Sequence, residues 1–199
     1  MGSRIEAKVN KPQLVHHSCE KKEGWHTLWL DQFRTLLQFE CVVNTLKLLW
    51  NKKHKTYSDN LGVLTRIPYS HGSTKSIEFI DDKIKLPELE LPKLPDDVKL
   101  PINLPELVKN LRRLDFSNVM KTLVDGLVAA GGKRNISIRA FPYDWRRVPS
   151  SAFLTGLTSL VKRTYNDNNK TPVTLLSYSA SCKYVLWFLN NKGEKYLLV

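Results

Sequence analysis

The second half of the chain alternates between two hydrophobic periods, and this alternation constrains the fold more than any other feature. Over 106–130, Leu107, Leu111, Leu114, Val119, Leu123 and Leu127 recur at helical spacing, and Gly131-Gly132 follows as a C-cap would. ISIRAFP, 136–142, reads as a strand ending at Pro142, and SAFLTGLTSLVKRTY, 151–165, reads as a helix. NDNNK is a turn, VTLL (173–176) a strand of the buried type, and CKYVLWFLN a further helix. Helices alternating with short apolar strands predict an α/β domain on a parallel sheet with flanking helices.

The first half is less regular. Residues 3–9 (SRIEAKV) read as a weak strand or a loop, and VLTRIP, 63–68, as a strand stopped by Pro68. Between them lies an aromatic-rich unit, 19–41, in which Trp25, Leu28, Trp29, Leu30, Phe33, Leu36, Leu37 and Phe39 crowd between Cys19 and Cys41. VVNTLKLLW continues its apolar pattern, and NKKHKTYSDNLG reads as a basic exposed loop or hairpin. Leu-Pro pairs then recur in LPELELPKLPDDVKLPINLP, 86–105, which holds five of the ten prolines. Proline at that density excludes a regular helix or a central strand, so an extended surface insertion is expected. P-x-x-P occurs there once, from Pro92 to Pro95, which is thin support for a proline-recognition motif.

At 199 residues, 42% hydrophobic and 25% charged, the chain is globular and long enough for one sizeable domain. A net charge of +12 favours anionic partners. No basic-aromatic motif of the recognised nucleic-acid modules is present, so nucleic acid is not the expected partner. No 18-residue apolar span predicts a transmembrane helix, and MGSRIEAKV lacks the apolar core of a signal peptide. Cys19, Cys41 and Cys182 allow one disulfide and one free thiol. Cys19 and Cys41 are either two separate thiols or a bridge worth about 3 kcal/mol in loop entropy. The aromatic residues between them suit a core or a membrane interface. The histidines (His16, His17, His26, His54, His71) show no metal-ligand spacing, and neither a metal nor another cofactor is expected.

The corner at TPVTLLSYSASCKYVLWFL, 171–189, bears most directly on chemistry. A strand, a sharp turn and a helix with a serine between them is the arrangement of a nucleophile elbow, usually G-x-S-x-G. Here Ser177 and Ser181 flank Ser179. For the pattern alone, a serine N-cap is the ordinary explanation. In the nucleophile reading, the Ala180 backbone N–H serves as an oxyanion donor at the helix N-terminus. Asp144, in FPYDWRRVP, precedes Ser179, whereas the triad order of α/β-hydrolases is Ser, Asp, His, so Asp144 reads as a salt-bridge partner of Arg146 or Arg147. Asn135-Ile136-Ser137 and Asn169-Lys170-Thr171 are glycosylation sequons if the chain is secreted.

GSRIEAKVNKP, C-x(5)-W-x(3)-W-L-D with Cys41 downstream, LGVLTRIPYSHGSTKSIEFID, IRAFPYDWRRVP and LLSYSASCKYVLWFL together resemble the lecithin:cholesterol acyltransferase family, including its lysosomal phospholipase branch. The resemblance runs over nearly the whole chain except about 83–113. It implies a partial α/β-hydrolase fold and a serine-dependent O-acyltransferase or phospholipase acting on glycerophospholipid acyl esters. It places the nucleophile at Ser179, a disulfide between Cys19 and Cys41, and a stapled membrane-binding subdomain with Trp25, Leu28 and Trp29 at the lipid. Cys182 falls where some members keep a free thiol beside the serine. The implied partners are a phospholipid membrane or lipoprotein surface and a lipid alcohol acceptor, in a secreted or lysosomal setting.

Residues 1–11 are then expected to be the start of the hydrolase core, 12–60 the membrane-binding subdomain, and 61–199 a partial core with the Leu/Pro-rich insertion. The acid and base of the triad are expected to be absent from this chain, leaving it inert as it stands. A lipid-surface protein without turnover, or a fragment without function of its own, is the alternative. Ser181 replaces a glycine of the elbow, and Lys183 falls where an apolar helix residue is expected.

Overall fold

The computed structural model describes residues 3–21, 24–29, 31, 35, 37–78 and 119–192. The Leu/Pro-rich insertion and the part of the expected helix before Val119 lie outside the described residues. In IEAKV, the apolar Ile5 and Ala7 alternate with charged residues, so strand β1 (Ile5–Val9) has one face to bury. It is the middle of an antiparallel sheet ordered β2-β1-β5, with β2 at His26–Trp29 and β5 at Val63–Arg66. Glu6 sits opposite Arg66 and Val9 opposite Val63, and the Glu6–Arg66 ion pair spans 2.8 Å across the strands. A register shift between Ile5 and Glu6 marks an irregularity in the β1–β2 ladder.

Helix α1 (Phe39–Leu46) covers the inner face of the sheet. Ile5, Ala7, Leu28, Val42 and Val63 form the core there, with Trp29 and Trp145 packed against it. Full burial of the Ile, Leu and Val side chains contributes about 1.5–3 kcal/mol each. The basic segment after α1 is a hairpin of β3 (Leu48–Asn51) and β4 (Thr56–Asp59). Asn51 Oδ1 accepts from the backbone N–H of Lys53 and His54, and Lys55 takes a left-handed φ of 51° to close the turn. One sheet therefore joins strands from well-separated parts of the sequence, since β1 pairs with β2 on one side and β5 on the other.

Among the described residues the later helices are α2 (Val119–Ala129), α3 (Ser151–Asp167) and α4 (Ser181–Lys192). The glycine pair ends α2 as its sequence predicts. Gly131 takes φ +99°, its N–H donates to Val128 O, and the Gly132 N–H reaches back to Leu127 O. Ser150 caps α3 by accepting from the Phe153 N–H.

The parallel sheet is not present among the described residues, where every ladder is antiparallel. Of the expected strand 136–142, Ile136 and Ser137 lie in a turn whose N–H groups donate to Lys133 O, Ile138 makes only an isolated parallel bridge with Arg134, and 139–142, like 173–176, run without a ladder. The physical reason is lateral: a strand exists only where a neighbour accepts its hydrogen bonds. Here both segments instead line one cleft of about 490 Å³.

Cys19 and Cys41 are bonded and buried, with their Cα atoms 4.9 Å apart. The bridge ties the 16–19 turn to the first turn of α1. Replacing Cys41 by serine is expected to lower stability by about 3 kcal/mol in urea denaturation. A loss below about 1 kcal/mol would show that the core holds α1 without the bridge.

Candidate functional site

The peptide between the extended run 173–177 and α4 turns at Ser179, whose φ is +58°. A serine in the left-handed region is uncommon and costs of order 1–3 kcal/mol unless its surroundings impose it. The surroundings are visible. The Ser181 hydroxyl accepts from Tyr178 N–H at 2.7 Å and donates to Tyr178 O at 2.6 Å. Cys182 N–H donates to Ser179 O at 3.1 Å, and Lys183 N–H to Ala180 O at 3.2 Å. Ser181 therefore closes the turn with its own side chain. Ser179 and Ala180 are both exposed at the N-terminus of α4. No described residue hydrogen-bonds the Ser179 hydroxyl or accepts from the Ala180 N–H. That N–H is one of the free donors at the positive end of the helix dipole. Cys182 is an exposed free thiol, and the Ser177 hydroxyl donates to its sulfur at 3.4 Å.

The turn is tied to the rest of the molecule through PYDWRR, 142–147. From α4, the Tyr184 hydroxyl meets Trp145 O at 3.0 Å and Arg147 O at 2.5 Å. On the other side, Asp144 accepts from Arg146 Nε at 2.8 Å and Nη2 at 2.7 Å, and from Arg147 Nε at 3.0 Å. Arg146, with 4% of its side chain exposed, also donates to Thr65 Oγ1 at 2.6 Å and Asp59 Oδ1 at 3.3 Å. Arg147 Nη1 donates to Tyr57 O at 2.9 Å. One charged cluster thus holds the β3–β4 hairpin and β5 on one side and the Ser179 helix on the other.

Burial alone would raise the Asp144 pKa, but hydrogen bonds and charge from Arg146, with Arg147, hold it below the usual carboxylate value. Burial would likewise lower Arg146, and Asp144 with Asp59 keeps it raised. Tyr143 is pushed up to about 12, by burial first and then by Tyr184 and Cys182. It packs on Tyr184 at 4.4 Å between ring centres, and its buried hydroxyl has no partner among the described residues. The cleft beside this aromatic group is lined by Ile138, Phe141, Leu157, Leu175 and Val185, among others.

The residues expected at a lipid surface divide. Trp25 is exposed, under the Arg66 guanidinium at 4.2 Å. Leu28 is 1% exposed, so its expectation is corrected: the two-residue strand period turns it into the core. Trp29 is half-buried, 4.9 Å from Trp145 between ring centres. Other large apolar side chains are exposed instead: Phe39 and Val43 on one face of α1, and Leu49 and Trp50 on β3. Among the described residues no helix is long and apolar enough to cross a membrane. Asn135 and Asn169 are both exposed in left-handed turns, with Asn135 Oδ1 accepting from Thr74 N–H. His71 packs on Phe141, and burial followed by Arg163 lowers its pKa.

The lecithin:cholesterol acyltransferase family model matches residues 25–197. The chain belongs to this family. It is 30% identical over 201 residues to the phosphatidylcholine-sterol acyltransferase of Mus musculus, covering 98% of this chain and 38% of the relative. It is 27% identical over 198 residues to the lysosomal phospholipase A and acyltransferase of Bos taurus, covering 98% of this chain and 41% of the relative. The chain thus spans about two fifths of the length of these relatives. As a family member it has the α/β-hydrolase fold class. Thr65, Asp59 and Tyr184 carry no signal in the sequence as partners of PYDWRR, because their contacts come from elements 37 to 87 residues away.

Asp144 is held in its charged form by folding, so its contribution is complete above the ordinary carboxylate pKa of about 3.9. It is lost as pH falls through that value and the lower folded one. Asp144→Asn leaves Arg146 buried beside a neutral group and is expected to cost about 3 kcal/mol or more at pH 7. It is also expected to flatten the fall in stability below pH 4. Urea melts at several pH values test both, and an unchanged acid limb would remove Asp144 from this role.

Proposed function

We propose that this chain carries the nucleophile of a serine-dependent lipid acyltransferase or phospholipase. The observation behind the reading is Ser179, held at φ +58° and exposed at the head of α4, in a chain of this family. A nucleophile elbow needs this backbone turn, because it lifts the hydroxyl clear of the strand and sets it beside free helical N–H groups. Ser179 Oγ attacks the carbonyl carbon of a glycerophospholipid acyl ester while a general base takes its proton. The Ala180 N–H donates to the oxyanion of the tetrahedral intermediate. Collapse expels the lysophospholipid alcohol and leaves the acyl group on Ser179. Water then gives a free fatty acid, or a lipid alcohol gives a new ester.

No described histidine or carboxylate reaches Ser179 Oγ, so the reading requires a base and an acid from outside these residues. It also assigns the cleft between 138–143 and 173–178 to a further parallel strand, because both flanking segments run without a ladder. A membrane or lipoprotein surface is the proposed partner, met by Trp25, Trp50, Phe39 and Val43, with the net charge of +12 adding attraction to anionic lipid. The disulfide suits an oxidising compartment, secretory or lysosomal.

The 199-residue chain alone is expected to give no turnover of a short-chain phosphatidylcholine above background. Joined to the segments of the mouse relative that it lacks, it is expected to hydrolyse that lipid. Ser179→Ala should then lower kcat by at least about a thousandfold. Turnover indifferent to Ser179→Ala would overturn the reading. Separately, co-sedimentation with anionic vesicles should weaken in Trp50→Ala and at high salt, whereas equal pelleting of the variant would place the lipid contact elsewhere.

A further inference from the structure

His16 and His17 show no ligand spacing in the sequence, and the fold supplies a third group. The disulfide draws the 16–19 turn against the first turn of α1, where Glu40 precedes Cys41. His16 Nε2 lies 3.5 Å from Glu40 Oε1, and ligand atoms of His16, His17 and Glu40 all lie within 4.8 Å of one another. The two imidazole rings are 4.2 Å apart. His16 Nδ1 sits 2.7 Å from the Ser18 hydroxyl. The Ser18 backbone N–H also donates to Nδ1, at 3.4 Å, so Ser18 fixes the ring from two sides; a cation on Nε2 requires the ring proton on Nδ1, where Ser18 Oγ accepts it.

We propose that His16, His17 and Glu40 bind one divalent cation of the zinc class. Two imidazoles and a carboxylate suit zinc, whereas calcium and magnesium take oxygen ligands. Three protein ligands leave the fourth tetrahedral position to water. An ion pair between His16 and Glu40 accounts for the 3.5 Å contact, but it gives no part to the exposed His17 ring beside it. The bound cation ties the 16–19 turn to α1 as a second cross-link next to the Cys19–Cys41 bridge. Ser18 is a positioning residue that fixes the His16 ring. The site does not depend on the role of Ser179.

The test is titration of the disulfide-intact chain with zinc chloride by calorimetry, and with cobalt(II) by visible absorption. One saturable site at micromolar metal is expected, with a cobalt spectrum of low coordination number. His17→Ala, His17→Gln and Glu40→Gln should each weaken binding by at least about tenfold, and Ser18→Ala by about tenfold with rescue by Ser18→Thr. Cys182→Ser and His54→Ala should bind as the parent does. Absence of saturable uptake, parental affinity in both His17 variants, or loss of the site in Cys182→Ser would overturn the proposal. Circular dichroism melts show whether each variant keeps the parent fold.

Discussion

The buried pair of Arg146 and Asp144 is the contact on which the rest of the arrangement depends. A guanidinium with 4% of its side chain exposed is tolerable only because Asp144, Asp59 and Thr65 satisfy it. Those partners come from different places: the segment before α3, the end of β4, and β5. The cation therefore selects one mutual placement of hairpin, sheet and PYDWRR, since any other leaves a charge desolvated and unpaired. Tyr184 extends the same placement to α4 through the carbonyls of Trp145 and Arg147. The position of the Ser179 turn is set by electrostatics some distance from it.

The turn itself shows how a departure from a pattern is absorbed. Glycine at the second flank of an elbow avoids a Cβ where strand and helix converge. Ser181 accepts that Cβ and returns two hydrogen bonds to Tyr178. Its hydroxyl satisfies backbone groups that the unpaired extended run would otherwise leave to water. The same bonds hold Ser179 in a conformation that the residue would not choose alone.

Local chemistry was legible in the sequence and lateral pairing was not. The glycine pair closing α2 and the start of α3 at Ser151 follow from a few neighbouring residues. The apolar runs at 136–142 and 173–176 read as strands, but the first opens in a turn closed on Lys133 O, and a strand also depends on a neighbour that its own residues do not name. Leu28 misled for a related reason: aromatic density marks an amphipathic unit without saying which side of β2 faces the core. Ser179 stood out as a corner, yet its backbone angle and the bracket from Ser181 are properties of the folded turn. The grouping of Glu40 with His16 and His17 was hidden because a bridge between distant cysteines creates it.

The sheet order β2-β1-β5 also bears on how this architecture can be varied. The aromatic unit is not a bead threaded on the chain between two linkers. Its strand is one side of a three-strand sheet, and the middle strand lies in the first ten residues. Exchanging 12–60 between relatives by cutting at loop ends would separate β2 from the register it was selected with. A transplant that respects the ladder must carry β1 as well, so the two segments are expected to change together through descent, as matched halves of one joint.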